Sequence, residues 1–458
     1  MHGWLPLVIQ AVTVAVLVAA VGRRSRRWGF VWLPSAVAVG VVIAATSYWV
    51  ITSQGMSDDP APNLLWVWIV VTGFAAVVLF AGWRNAGWRR RTASAVGLPM
   101  SALCAALALN LWVGYFPTVQ TAWNQLTEGP LPDQADQATV VAMQSKHQVP
   151  AKGVVVPVNI DSSASGFKHR GELVYLPPAY FATNPAPHLP TLMMIGGEFN
   201  TPGDWLRAGD AIKTVDDYAA ANGGNAPVLV FVDTGGAFNN DTECVNGPRG
   251  NSADHLTKDV VPFMEANYGV SADRAHWGLV GWSMGGTCAV DLATMHPDMF
   301  STFEDIAGDL APNSGNKQQT VDRLFGGNAA AYAAFDPTTV ITKHGRYQGV
   351  SGWFAINGST PSAGPTVVNA VNANGTGLGG KDAAVRVSDQ ASAANSLCAL
   401  GESNGIRCAV VTQPGKHDWP FADRAFVAAL PWLAGQIGTP GVPRLGLPGT
   451  TPLAAHVQ

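Results

Sequence analysis

Ser283, in the segment RAHWGLVGWSMGGTCAVDLATMHPDMF, sits between two glycines as Gly281-Trp282-Ser283-Met284-Gly285. In a chain with 50 Gly, chance alone would supply roughly 0.3 copies of the bare GxSxG pattern, so it counts only with its context. Apolar residues 276–280 run straight into it, and a run of small residues opens a helix after it. Strand, tight turn and helix in that order form an elbow. Its glycines remove the Cβ clash and lift the serine hydroxyl above the sheet edge.

A serine hydroxyl is a poor nucleophile at neutral pH and needs a general base, which in such a sheet follows the last strand. The residues VVTQPGKHDWPF place His417 there. An acid that orients the imidazole belongs between the two, after a strand at 352–357, where Asp382, Asp389 and Glu402 are on offer. Asp389 and Glu402 bracket a helix, a setting in which acids are commonly solvated or near a cap. Asp382, in the Gly-rich loop GTGLGGKD, is therefore preferred, with Asp389 its main rival. A tetrahedral oxyanion also requires N–H donors. Met284 supplies one; in MMIGGEFNTPGDW, Gly196 and Gly197 free the backbone to turn in a second, that of Glu198.

These residues need a framework. Short apolar runs at 153–158, 172–176, 191–195, 228–232, 275–280, 303–307, 352–357 and 408–412 read as strands, several of them continuously apolar as in a sheet covered on both faces. Helical patterns at 253–267 and 284–295 fall between them, which predicts a mostly parallel, doubly wound α/β sheet.

The N-terminal quarter is different. Four apolar stretches, at 4–21, 30–51, 64–83 and 95–116, each match the length of a membrane-spanning helix. Arg23, Arg24, Arg26 and Arg27 lie between the first two, and Arg84, Arg89, Arg90 and Arg91 between the last two; the intervening loop carries Asp58 and Asp59 and no Lys or Arg. The positive-inside rule then puts both Arg-rich loops in the cytoplasm and everything after Phe116 outside. Residues 1–3 carry no basic residue ahead of the first span, which argues for an anchor over a cleaved signal peptide. The expected organisation is a transmembrane domain at 1–117, a linker at 118–152, a catalytic domain at 153–438 and a disordered tail at 439–458.

Of five cysteines, Cys104 lies in the fourth span, leaving four in the outer domain. Three pairings are open, of which Cys398 with Cys408 and Cys244 with Cys288 are favoured. No His or Cys spacing suggests zinc, and no cofactor is expected. A net charge of -4 without a long basic run past the first hundred residues makes nucleic acid a poor partner.

The segments VYLPPAYF, MMIGGEFNTPGDW, HLTKDVVPFMEANYGV, GLVGWSMGG and GKHDWPF resemble the esterase D-like family that includes the mycobacterial mycolyltransferases, over 153–437 and none of the spans. The resemblance implies an α/β-hydrolase fold, Ser283 as nucleophile, His417 as base, and Glu198 and Met284 as oxyanion donors. The chain departs from the mycolyltransferases in three ways: they use Glu as the acid, carry Ala where Gly285 stands, and are secreted. The expected function is a membrane-embedded, extracytoplasmic serine esterase or acyltransferase whose ester substrate is lipid-linked. The rival is a non-catalytic membrane sensor or scaffold that keeps the hydrolase fold.

Overall fold

The computed structural model describes residues 4–449 except 23–24, 55–60, 85, 114–115, 117–118, 120–121, 124–126, 128–130, 132, 238–239, 359–365 and 369–387. The chain divides into two compact units, one holding the first 123 residues and the other beginning at Asn124.

The first unit is four helices, α1 (Trp4–Val21), α2 (Leu33–Gln54, entered through a π-helical turn Trp28–Trp32), α3 (Asn63–Gly82) and α4 (Trp88–Val113), each long and apolar enough to cross a membrane. Their outward residues are apolar too: Trp4, Leu7, Val42 and Phe80 are all exposed. A helix that is apolar on every side has no water-facing surface, so small residues must bring neighbours together. Helices α2 and α3 meet at Gly40 and Gly73, where a Cβ on Gly73 would stand 2.8 Å from the Gly40 Cα. Helix α4 starts seven residues before the apolar stretch read from hydropathy, because Arg89, Arg90 and Arg91 are good helix formers and fill its first turn.

The second unit is built on a nine-stranded sheet in the order β1-β2-β4-β3-β7-β8-β9-β11-β10. These strands are β1 (Val154–Val158), β2 (Glu172–Leu176), β3 (Thr191–Ile195), β4 (Val228–Val232), β7 (Trp277–Trp282), β8 (Thr302–Ile306), β9 (Ser351–Gly358), β10 (Thr366–Val368) and β11 (Arg407–Pro414). A small hairpin, β5 (Asn246–Gly247) and β6 (Gly250–Asn251), stands apart. Strands from β4 through β3, β7, β8 and β9 to β11 run parallel, while β1 pairs antiparallel with β2, β2 with β4 and β10 with β11. The sequences TLMMI of β3 and VLVFV of β4 are buried at every position, as a sheet covered on both faces requires. The helix Met284–Met295 covers β7 and β8. The helix Trp419–Gln436 also packs on this sheet, against β7, β8, β9 and β11.

Three sequence boundaries move for local reasons. β7 begins at Trp277 because Asp273 accepts the Ala275 N–H at 2.9 Å and closes a 3-10 turn, Arg274–His276, on residues read as strand. The stretch read as linker is partly domain: Gln134 bridges to Val155, and the helix Gln137–Ser145 buries Val140 in the main core. The tail is ordered to 449, since Gln436 Nε2 donates to Leu445 O at 2.6 Å and Arg444 Nε donates to Gln436 Oε1 at 3.0 Å. Its Gly and Pro content reads as disorder only when the groove that receives it is unknown. Both favoured disulfides, Cys244–Cys288 and Cys398–Cys408, are formed.

Candidate active site

Ser283 takes φ 58° and ψ −122°, a conformation costly for a residue with a Cβ and one that surrounding structure must impose. Its N–H donates to Ile306 O of β8 at 2.9 Å, and its carbonyl accepts from Gly286 N at 2.7 Å. The glycines are there for space. A Cβ on Gly281 would collide with the Gly285 carbonyl, and one on Gly285 would come within 2.6 Å of Gly196 O. β7 therefore passes into Met284–Met295 through a turn that leaves no room for a Cβ at 281 or 285, at the C-terminal edge of the parallel strands where ligands of such sheets bind.

His417 reaches the same point from the far end of the chain. It follows β11 and precedes the helix Trp419–Gln436, whose first turn is fixed by Asp418 Oδ1 accepting the Phe421 N–H at 3.1 Å. His417 Nε2 and Ser283 Oγ are 2.9 Å apart across 134 residues of sequence. The Trp282 indole stacks on the imidazole, with ring centroids 4.3 Å apart, and Trp419 and Phe421 lie beyond it. Burial in this aromatic setting pushes the imidazole down to about 4, favouring the neutral ring that a general base requires.

Of the three acids, Asp382 lies outside the described residues. Asp389 is in the first turn of the helix Ser388–Ser403, and Glu402 is exposed in its last turn, about 18 Å along the axis from Gln390. Among the described residues Nδ1 of His417 has Gln390 beside it: Gln390 Nε2 is 3.3 Å from Nδ1 and donates to Ala307 O at 3.1 Å. Neither Gln390 nor the stacking of Trp282 is legible in the sequence, since no spacing rule links them to His417. Asp305, on β8 beside the elbow, is fully buried and pushed up to about 7 by that burial; its Oδ1 accepts from Gly308 N at 2.7 Å.

The loop after β3 closes the site. A Cβ on Gly197 would be 3.1 Å from the Ser283 Cβ, so the loop lies directly against the nucleophile. Gly197 N donates to Asn200 Oδ1 at 2.8 Å and Asn200 N to Gly197 O at 3.2 Å, making a tight turn around Glu198 and Phe199, the latter at φ 66°. Met284, the first residue of its helix, has an amide with no intrahelical acceptor.

Among the described residues, two groups have metal-ligand residue types. In one, His169, Glu172 and His255, the potential ligand atoms lie within 4.8 Å of one another. Both His169 nitrogens face backbone carbonyls, of Arg170 and Ile160, at 2.8 Å, and both His255 nitrogens face carboxylates, Glu172 at 3.0 Å and Asp259 at 3.2 Å. The two rings stack face to face at 4.3 Å, so their lone pairs do not converge on one ion. The cluster fits a buried ion network better than a metal centre. In the other group, Cys398, Glu402 and Cys408, the sulfurs are joined as a disulfide.

A parallel sheet with antiparallel edges, an elbow serine after its fifth strand in space, and an imidazole delivered after β11 define an α/β-hydrolase. The family described as "Putative esterase" matches residues 165–433, and the chain belongs to that family. An uncharacterized protein of Corynebacterium glutamicum is 29% identical over 372 residues, covering 77% of this chain and 84% of its own. Solved structures similar to this chain include a ferulic acid esterase (16% identity, 63% of this chain and 99% of that one, TM-score 0.46). An S-formylglutathione hydrolase from Agrobacterium tumefaciens (15%, 63% and 97%, TM-score 0.47) and MPT51 from Mycobacterium tuberculosis (18%, 61% and 99%, TM-score 0.40) are also similar.

Proposed function

We propose that this esterase-family protein is a membrane-anchored, extracytoplasmic serine esterase or acyltransferase that works through Ser283, His417 and an acid, Asp382 in preference to Asp389. The observation that carries the reading is the 2.9 Å approach of His417 Nε2 to the hydroxyl of a serine held on a strained elbow. A solvated histidine beside an incidental turn has no reason to adopt that geometry.

Ser283 Oγ attacks the ester carbonyl carbon while its proton passes to His417 Nε2. Charge collects on the carbonyl oxygen, met by the N–H groups of Met284 and Glu198. Collapse breaks the bond to the alcohol, which leaves with the proton from Nε2, and the acyl group stays on Ser283. Water or a second alcohol then attacks, gives its proton to Nε2, and releases acid or a new ester as Ser283 regains its hydrogen. The acid holds Nδ1–H, keeping Nε2 as the acceptor.

Four apolar helices, and eight Arg confined to the stretches between the first and second and between the third and fourth apolar segments, support a location on the outer face. There a tethered enzyme meets lipid or cell-envelope esters at high effective concentration. A fluorophosphonate probe tests the chemistry: wild-type protein takes the label and Ser283→Ala does not. Folded wild-type protein that fails to label would instead indicate a scaffold. Turnover of soluble short-chain esters with none of membrane-presented lipid esters would count against the substrate class.

A further inference from the structure

The loop opposite Ser283 is not held by its own residues alone. Arg170 stands two residues before β2 and Asp233 one residue after β4, adjacent strands that run antiparallel. The Arg170 side chain grips the Asp233 carboxylate, with Nε 3.1 Å from both oxygens and Nη2 2.6 Å from Oδ1. The Arg170 N–H adds a third donor to Asp233, at 2.6 Å from Oδ2. Asp233 is fully buried and also accepts from Gly236 N at 3.1 Å and Gly235 N at 3.3 Å. Burial opposes its charge, but Arg170 and these amides hold it below the ordinary carboxylate range.

With its guanidinium thus fixed, Arg170 directs Nη2 at Asn200 O, 2.7 Å away. Asn200 is the residue whose side chain closes the Gly197 turn against Ser283. That turn contains Phe199 in the left-handed region, which a non-glycine residue occupies only where its surroundings over-determine it. One guanidinium therefore joins the ends of β2 and β4 to the loop after β3. Its planar fork bonds a carboxylate and a carbonyl together, which an ammonium point charge does not reproduce.

We propose that Arg170, seated on Asp233, is a positioning residue that sets the height of the Gly197–Asn200 loop above Ser283 and so aims its oxyanion N–H. The proposal rests on the esterase reading and deepens it. Arg170 touches no reacting atom. Its loss lets the strained turn relax, and a misplacement of about 1 Å near a reacting centre costs on the order of 10²-fold in rate.

The test measures kcat and KM on a short soluble ester, and inhibition by an alkylboronic acid, for the full-length protein and for Arg170→Lys, Arg170→Met and Asp233→Asn. The boronic acid takes Ser283 Oγ as its fourth ligand and holds a boron-bound oxygen where the oxyanion forms. The expected result for Arg170→Met is a kcat lower by about 10- to 100-fold, a KM within about twofold, and a boronic acid Ki raised by the same factor as kcat falls. Arg170→Lys lies between. If Arg170→Met does not fold, Arg170→Lys and Asp233→Asn carry the same comparison. Unchanged kcat, a kcat loss without a matching rise in Ki, or a loss expressed in KM overturns the positioning role. Absence of wild-type turnover and of fluorophosphonate labelling would overturn the esterase reading itself, a different outcome from an active enzyme indifferent to Arg170.

Discussion

Gly285→Ala adds one methyl group at the point where the elbow and the oxyanion loop touch. The new Cβ would sit 2.6 Å from Gly196 O and 2.8 Å from the Ile195 carbonyl carbon, against the 3.4 Å at which ordinary contact begins. Clearing Gly196 O alone needs a shift of 0.8 Å, the difference between 3.4 and 2.6 Å. Neither side yields readily: Ile195 is paired to both β4 and β7, and residue 285 lies in the first turn of a helix packed on β7 and β8. Overpacking of this kind costs typically about 1–3 kcal/mol. For a domain of this size that is about 2–4 °C of melting temperature per kcal/mol. The displaced atoms belong to the loop facing Ser283, so the rate suffers beyond the stability: kcat on a short nitrophenyl ester should fall by about 10²-fold. Steady-state kinetics and a thermal melt on the same preparation measure both. A Gly285→Ala protein that keeps the wild-type Tm and a kcat within about twofold of wild type would refute the reasoning.

Two further outcomes follow from titrating groups. Whichever of Asp382 and Asp389 orients His417, Asn at that position should lower kcat by about 10²–10⁴-fold. It should also move the acid limb of kcat/KM to lower pH, toward about 4, because burial alone then sets the imidazole; the other Asn variant keeps the wild-type profile. If neither variant moves the limb, both residues lose the role. His255 is buried, which opposes its charge, yet Glu172 and Asp259 raise it above its ordinary 6.5. A raised folded value means a stabilising contribution present in full below about pH 6.5 and lost as pH rises through the folded value. Wild-type Tm should therefore decline on the alkaline side, and His255→Gln, less stable in acid, should decline less. A wild-type Tm that climbs across that range contradicts the assignment.

The elbow at Ser283, the place of His417 after the last parallel strand and the succession of strands were legible in the sequence because local rules constrain them. An elbow needs glycines at fixed offsets, a strand buried on both faces is apolar throughout, and a helix in hydrocarbon is apolar all round. These are properties of short segments, so the segments themselves carry them. Tertiary structure alone decided the pairings between distant parts of the chain. Gln390 sits beside Nδ1 from 27 positions away, Trp282 stacks on the imidazole of His417, 135 positions later (417 − 282), and Arg170 bridges Asp233 and Asn200 across 63 and 30 positions. No periodicity encodes such contacts, since they depend on which strand ends the sheet topology sets side by side. The same holds for residues 439–449: their composition resembles a solvated segment, and only the end of the Trp419–Gln436 helix supplies the partners that order them.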